Sequence, residues 1–262
     1  MIYVCVPSHN EARTVGLLLW KVRQVFTEFP RDYRIVVVDD GSTDATADVL
    51  EPYARVLPLT VIRHERRQGY ARSVEAALRL ALEQTDRPKR DCAIVLHADF
   101  AHSPEDLPEL VRLIEGGVDL AVAQGATPAA ADWKGRLAQR LAGWLLRRRV
   151  GIAGLEDPVS GFVAIRLVSL RNAMRAAGET FLATDGPVAN AELAGRVARF
   201  ARRVETVRVS SRPARRVREG RGSHVDLLRA AWREGRRLRF PSPPPREERP
   251  AQAQREREVA AT

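Results

Sequence analysis

The chain has 262 residues, of which 45% are hydrophobic and 29% charged, with 43 Lys+Arg against 33 Asp+Glu and a formal net charge of +10. That balance excludes a wholly disordered chain and leaves ample length to bury a core, as one large domain or two small ones. Two cysteines, Cys5 and Cys92, exclude a disulfide framework, and no apolar stretch reaches the ~18–20 residues of a membrane span.

The run IYVCV over 2–6 predicts the first strand, with no basic leader region before it, so no secretory signal is expected. Both cysteines sit in apolar runs and are expected to be buried thiols in a reducing, cytoplasmic compartment. After the first strand come Pro7-Ser8-His9-Asn10-Glu11 and a helix over 12–28. RIVVV over 34–38 predicts the second strand, followed by Asp39-Asp40-Gly41-Ser42-Thr43-Asp44 and a helix over 45–56. LTVIR over 59–63 is the third, and Gln68-Gly69-Tyr70-Ala71 opens a helix over 69–84. CAIVLH over 92–97 is the fourth; it runs into Ala98-Asp99-Phe100 and a helix over 105–115, with Ser103 as its cap and Pro104 in its first turn. VDLAVA over 118–123 is the fifth, ahead of a helix over 133–149.

Continuous apolar strands alternating with helices predict an α/β domain, a parallel sheet covered on both faces. In such sheets ligands bind beyond the carboxyl ends of the strands. Polar or acidic residues fall at that edge four times. Asn10, Ser42 or Asp44 could each cap a helix. Capping does not account for three carboxylates, Asp39, Asp40 and Asp99, converging on one crevice. No Gly-x-Gly-x-x-Gly follows the first strand, there is no Gly-Lys-Ser/Thr loop, and Pro158-Val159-Ser160-Gly161 lacks the first glycine of a nucleophile elbow.

The positive charge is concentrated toward the C-terminus. Residues 211–240 hold ten arginines against three acids, whereas 241–262 balance four against four. Residues 1–210 are therefore expected to form the main domain, 211–240 a basic segment and 241–262 a disordered tail. Within the basic segment, 223–240 can form a helix with Val225, Leu228, Trp232 and Leu238 near one face. Such a helix either lies on an anionic membrane surface or docks on the main domain with its arginines solvated.

The segments VPSHNEARTVG, VVVDDGSTDAT, RRQGYARSVEAAL, VLHADFAHSPEDL and DPVSGFVAIR occur in the order and spacing of family 2 glycosyltransferases. The chain resembles that family over about 1–223, and within it the dolichol- or polyprenol-phosphate sugar transferases. The resemblance implies a GT-A fold: a mostly parallel, Rossmann-like sheet with helices on both faces, here followed by the basic C-terminal helix and tail. It implies an inverting transfer from a nucleotide-sugar, GDP-mannose or a UDP-sugar, to polyprenyl or dolichyl phosphate. Pro7, Ser8, Asn10 and Glu11 would line the nucleotide pocket, Asp39 and Asp40 would contact base and ribose, and Gly69 would let the backbone pass close to the nucleotide. Asp99 would be the surviving acid of the family's Asp-x-Asp motif, holding Mg²⁺ or Mn²⁺ on the diphosphate. His97 replaces the first acid, as a weaker ligand, a spacer or a satisfied strand-end histidine; His102 has no expected role.

On the acceptor side, Trp133-x-x-Arg136 matches a phosphate-holding motif, Arg140 stands where the family has serine, and Gln124 where it has arginine. Arg218 and Ser223 keep the spacing of a further phosphate-closing segment. An anionic lipid phosphate needs no general base. For a hydroxyl acceptor, Asp157 or Asp185 would serve. The rival readings are the same fold with a different acceptor and a catalytically weak nucleotide-binding scaffold, which His97 favours. Nucleic acid is not an expected partner. The expected location is cytoplasmic, peripheral on the membrane face; the oligomeric state is open.

Overall fold

The computed structural model describes residues 1–125, 133–209, 224–238 and 240, with backbone alone for 133–136, 138–140, 224–227 and 237. Strands β1 (Ile2–Ser8), β2 (Tyr33–Asp39), β3 (Leu59–Arg63), β4 (Cys92–Val95), β5 (Leu120–Gly125), β6 (Val163–Arg166) and β7 (Val204–Val209) form one sheet in the order β3-β2-β1-β4-β6-β5-β7. β1 lies between β2 and β4, parallel to both, and every one of its seven residues is buried. A central strand of a two-sided sheet must be apolar on both faces, hence IYVCV rather than an alternating pattern.

The helices are α1 (Val15–Glu28), α2 (Thr46–Val56), α3 (Tyr70–Gln84), α4 (Leu107–Glu115), α5 (Trp133–Val150), α6 (Leu167–Ala177), α7 (Gly186–Ala198) and α8 (His224–Arg233). Strand periodicity sorts β1 between two cores: Ile2, Val4 and Val6 pack with α1 and α4, Tyr3 and Cys5 with α3, α6 and α7. Leu18, Leu19, Val22, Val25 and Phe26 form the buried stripe of α1. Both cysteines are buried. Burial raises both thiols, Cys92 to about 12, so neither is a ready thiolate.

The predicted elements of 1–125 all form, with shifted ends. Helix α1 begins at Val15 rather than 12, because Glu11 to Thr14 makes a turn in which the Thr14 and Val15 N–H groups both reach the Glu11 carbonyl. The helix expected over 105–115 opens as a 3-10 turn, Pro104–Asp106, with Ser103 Oγ accepting from Glu105 N at 3.3 Å as the expected cap. The sheet is not wholly parallel: β6, only four residues long, runs antiparallel to both β4 and β5. Its short VAIR run carries no period by which sequence distinguishes it from the start of α6.

At the opposite end from the loops after β1 to β4, Arg166 is 9% exposed and bonds Asp119 Oδ1 (2.8 Å), Lys89 O (3.0 Å), Val118 O (2.9 Å) and Ile114 O. This knot ties β6, β5 and α4 together. Helix α8 packs along α5 and contacts α7. Ala231 and Leu238 are buried and Leu228 is partly so, whereas Trp232 is 54% exposed, so the face expected over 223–240 is divided between core and surface. Val225 has its side chain outside the described residues, as do Arg136 and Arg140. Arg218, Ser223 and the tail over 241–262 lie outside them entirely. Among the described residues, no helix is long and apolar enough to cross a membrane.

Candidate active site at the carboxyl edge of the sheet

The loops after β1 and β2 are stitched into one unit. Asn10 adopts a left-handed backbone, φ 55°, and its Oδ1 accepts from Thr43 N at 2.8 Å while its own N–H donates to Ser42 Oγ at 2.9 Å. Left-handed backbone costs a non-glycine residue roughly 1–2 kcal/mol, and asparagine tolerates it by local hydrogen bonding. Glu11 N donates to Thr46 Oγ1 (2.9 Å), and Glu11 Oε2 accepts from Thr14 (2.8 Å). Asn10 thus braces the second loop instead of capping α1.

The two aspartates after β2 have different surroundings. Asp40 is 3% exposed and accepts three hydrogen bonds: His64 Nδ1 (2.8 Å), Gln68 N (2.8 Å) and Gly69 N (2.9 Å). Burial alone would raise its carboxyl, but these three donors outweigh it and hold it below the ordinary value. Asp40 therefore fixes the loop that leads into α3. Asp39 is fully buried; its Oδ1 accepts from Ser42 N at 3.0 Å, but its Oδ2 has no hydrogen bond. Among the described residues, Arg63 is the cation paired with that oxygen, its Nε 3.7 Å away on a side chain 63% exposed. Ser8, the register partner of Asp39 on β1, also has a buried hydroxyl without a hydrogen bond. Buried polar atoms without hydrogen bonds are unusual in a folded protein, and here two fall on residues paired in register at the carboxyl edge of the sheet.

Two glycines record close approaches. A Cβ on Gly41 (φ 59°) would sit 2.5 Å from Arg67 N, because the loop after β3 crosses it. Gly69 (φ 104°) faces Asp185, whose Oδ2 would lie 2.7 Å from a Cβ there. The approach that Gly69 permits in this structure is that of Asp185. Asp185 Oδ1 in turn accepts from Ala71 N at 2.8 Å, capping α3, and α7, which it precedes, gets no side-chain cap from it. The segment around Asp185 is held by two buried glutamates. Glu192 accepts from Ala183 N, Thr184 N and the Thr184 hydroxyl, and Glu75 accepts from Leu182 N. Gln68, Arg72, Thr180 and Thr184 line an open cleft of about 300 Å³ beside Asp185.

Asp99 follows β4, partly exposed, and its Oδ1 accepts from Ala101 N at 3.0 Å across Phe100, which is left-handed at φ 58°. His97 stacks on Tyr70 (ring centroids 5.2 Å, 7° between planes) with Nε2 3.2 Å from the Tyr70 hydroxyl. That hydroxyl donates to Asn190 Oδ1 at 2.7 Å, and Asn190 Nδ2 donates to Val159 O at 3.0 Å. Burial raises the Tyr70 phenol, so it stays protonated. His102 Nε2 lies 3.2 Å from Ser160 Oγ, which donates to Ala123 O at 2.7 Å. His102 thus meets the loop before β6 directly, and His97 is linked to it through Tyr70 and Asn190. Gly161 (φ 75°) leaves room for this link: a Cβ there would lie 2.4 Å from His97 Nε2 and 2.5 Å from Asn190 Nδ2. Gly161→Ala is expected to lower stability by at least about 2 kcal/mol in urea unfolding.

Asp157 Oδ1 accepts from Val159 N at 3.1 Å. Gln124 is 6% exposed and bonds Gly154 O, Glu156 N and Asp157 N, so its amide closes this loop. Tyr70, Asn190 and Gln124 are the site-shaping residues to which sequence reading gave no such part. Gln124 was noted only as a replaced arginine; Asn190 carried a signal as a polar residue between Ala189 and Ala191.

Among the described residues, no three His, Cys, Asp or Glu side chains converge as a ready metal site. Asp99, partly exposed at the strand end, still suits Mg²⁺ or Mn²⁺ of the kind that is bound by one or two carboxylates and completed by substrate phosphates.

The family model described as "Glycosyl transferase family 2" matches residues 3–172. A dolichol-phosphate mannosyltransferase from Pyrococcus furiosus is 28% identical over 170 residues, 63% of this chain and 46% of that protein. An undecaprenyl-phosphate 4-deoxy-4-formamido-L-arabinose transferase from Pseudomonas fluorescens is 35% identical over 121 residues, 45% of this chain and 34% of that protein. The chain thus spans less than half the length of these curated relatives. Among solved structures, glucosyl-3-phosphoglycerate synthase from Mycobacterium tuberculosis, in complex with Mn²⁺, UDP-glucose and phosphoglyceric acid, aligns with a TM-score of 0.60 at 19% identity, covering 91% of this chain and 80% of that one. TarS 1–349 from S. aureus, in complex with UDP-GlcNAc, aligns with a TM-score of 0.54 at 18% identity, covering 87% and 64%. These likenesses place the fold among such transferases.

Proposed function

The chain belongs to glycosyl transferase family 2, and from that premise we propose that it moves a sugar from a nucleotide-sugar to a polyprenyl phosphate with inversion. The observation that carries the donor half is the pair of buried atoms without hydrogen bonds, Asp39 Oδ2 and Ser8 Oγ, at the carboxyl ends of β2 and β1. A buried carboxylate oxygen accepts a proton donor. Uracil N3 and guanine N1 carry a ring N–H; cytosine N3 is a ring acceptor in the same place. The acceptor half is supported by the names of the relatives, which are transferases of dolichol phosphate and undecaprenyl phosphate.

In the proposed reaction a phosphate oxygen of the acceptor attacks the anomeric carbon as the bond from that carbon to the diphosphate breaks, releasing the nucleoside diphosphate. The attacking oxygen is already anionic, so no side chain need remove a proton. Asp39 and Ser8 hold the base; Asp40 holds the loop that bears Gly69; Asn10 and Glu11 hold the first two loops together. Asp99 would hold the divalent cation, which would supply charge neutralisation for the departing diphosphate. With His97 beside Tyr70 where the family has a second carboxylate, cation binding would rely on the nucleotide's phosphates. Arg136 and Arg140 on α5, with Arg218 and Ser223, are the proposed acceptor-phosphate contacts. A hydroxyl acceptor is the second reading, favoured by Gln124, whose amide closes the 154–157 loop where the family places an arginine.

Calorimetry with UDP, GDP and CDP, each with and without Mn²⁺, tests the donor half. We expect UDP or GDP to bind at least about thirtyfold more tightly than CDP, since a cytosine ring nitrogen would face an unsatisfied carboxylate oxygen. Equal CDP binding sinks the assignment of Asp39. Transfer of labelled sugar to undecaprenyl phosphate tests the other half, and turnover with alcohols alone would establish the second reading.

A further inference from the structure

Helix α5 turns Ala142, Leu146 and Val150 to the core, none more than 1% exposed. Its other side presents Leu137, Leu141 and Trp144, which are 48%, 43% and 53% exposed. These positions fall on one helical face. Helix α8 beside it buries Ala231 and presents Trp232, 54% exposed. The two surfaces are joined. Arg148 lies over the Trp144 ring at 5.8 Å, Arg236 lies over the Trp232 ring at 5.1 Å, and Arg149 donates to the Arg236 carbonyl at 3.1 Å. Arg147, Arg229 and Arg233 are exposed along the same helices. Among the described side chains of 137–150 and 228–238 the one acid is Glu234, and its Oε2 is buried.

Four half-exposed large apolar side chains set among arginines form a patch that water does not favour. Its charge selects the occupant. A second copy of the chain would bring arginines against arginines. A nucleic acid satisfies the guanidinium groups but has no use for Leu137 and Leu141. An anionic bilayer satisfies both: indoles and leucines enter the boundary between headgroups and acyl chains, while arginines meet lipid phosphates.

We propose that the exposed face of α5 and α8 docks this protein on an anionic lipid bilayer. Helix α5 also bears Arg136 and Arg140, so docking brings the proposed acceptor contacts to the surface where a polyprenyl phosphate resides. That purpose rests on the proposed lipid acceptor; the physical grounds for docking do not. The face differs from the amphipathic stripe read over 223–240, because Leu238 of that stripe is buried and three of the four exposed apolar side chains come from α5.

The test is flotation of the full chain with vesicles of phosphatidylcholine, alone or mixed with phosphatidylglycerol, read together with tryptophan emission. The protein is expected to float only with the mixed vesicles, with a blue shift. Trp144→Ser combined with Trp232→Ser should lower vesicle affinity about tenfold or more without moving the urea midpoint, both indoles being exposed. Arg148→Gln combined with Arg233→Gln should lower it about thirtyfold. Three results overturn the proposal: no flotation with anionic vesicles at low salt, flotation unchanged in the double tryptophan variant, or a concentration-dependent dimer that this variant abolishes. A protein that floats as expected yet transfers no sugar to undecaprenyl phosphate supports docking and overturns the acceptor reading alone.

Discussion

Asp99→Asn is expected to lower sugar transfer by about a thousandfold, the scale of losing metal-assisted stabilisation of a departing diphosphate. The amide keeps an oxygen for the Ala101 N–H, so the left-handed turn at Phe100 survives and the urea midpoint should not move. Asp99→Ala removes that acceptor as well and should lower stability by roughly 1 kcal/mol besides abolishing transfer. Initial rates with labelled donor at saturating Mn²⁺, alongside urea unfolding of both variants, separate the two effects. Wild-type rates in Asp99→Asn would show that this carboxylate does not hold the cation; no transfer by the wild-type protein itself is the result that would favour the scaffold reading.

The second large effect lies away from the site. Asp119→Asn keeps the size of a side chain that is 1% exposed but removes the charge facing Arg166. A guanidinium left buried without its counter-charge costs about 3–5 kcal/mol, and we expect a loss of that size in urea unfolding. Burial alone would raise the Asp119 carboxyl; the Arg202 N–H, the Arg202 guanidinium and Arg166 outweigh it and hold it below its ordinary value. A carboxyl depressed by folding contributes its full stability above the unfolded pKa, near 3.8. That contribution fades as pH falls through the lower folded value. The stability gap between wild type and Asp119→Asn should therefore be constant near neutrality and narrow in acid. Asp40, also depressed, titrates in the same window but is present in both proteins and cancels from the difference. A gap independent of pH down to full protonation would refute the assignment.

The family and the edge of the sheet at which to look were legible without coordinates. Apolar runs between amphipathic helices require a sheet covered on both sides, and such a sheet places the loops after β1, β2 and β4 together. The ordered motifs then identify the family. The five strands of 1–125 were readable as apolar runs set between amphipathic helices. Strand β6 passes directly into α6 with no turn signal between them, so its antiparallel run between β4 and β5 was hidden.

Division of labour within the site is a different matter, because it depends on which donors lie near each group. In sequence Asp39 and Asp40 are equivalent neighbours; folding gives Asp40 three donors from the loop after β3 and leaves Asp39 Oδ2 with none. Gly69 reads as room for a nucleotide; the structure adds a close approach by Asp185, a residue over a hundred positions away. His97 reads equally as a weaker metal ligand, a spacer or a satisfied strand-end histidine, and folding sets it against Tyr70, the first residue of α3. Trp232 reads as part of one apolar stripe, yet the stripe divides, since only a packed partner decides which side of an arginine-rich helix is inside. Sequence alone determined the covered sheet, the family and the residues at its edge, because these follow from local periodicity and chain order. Tertiary structure decided which of those residues are bonded, which are left open and which face water, because each of these is settled by neighbours remote in the chain.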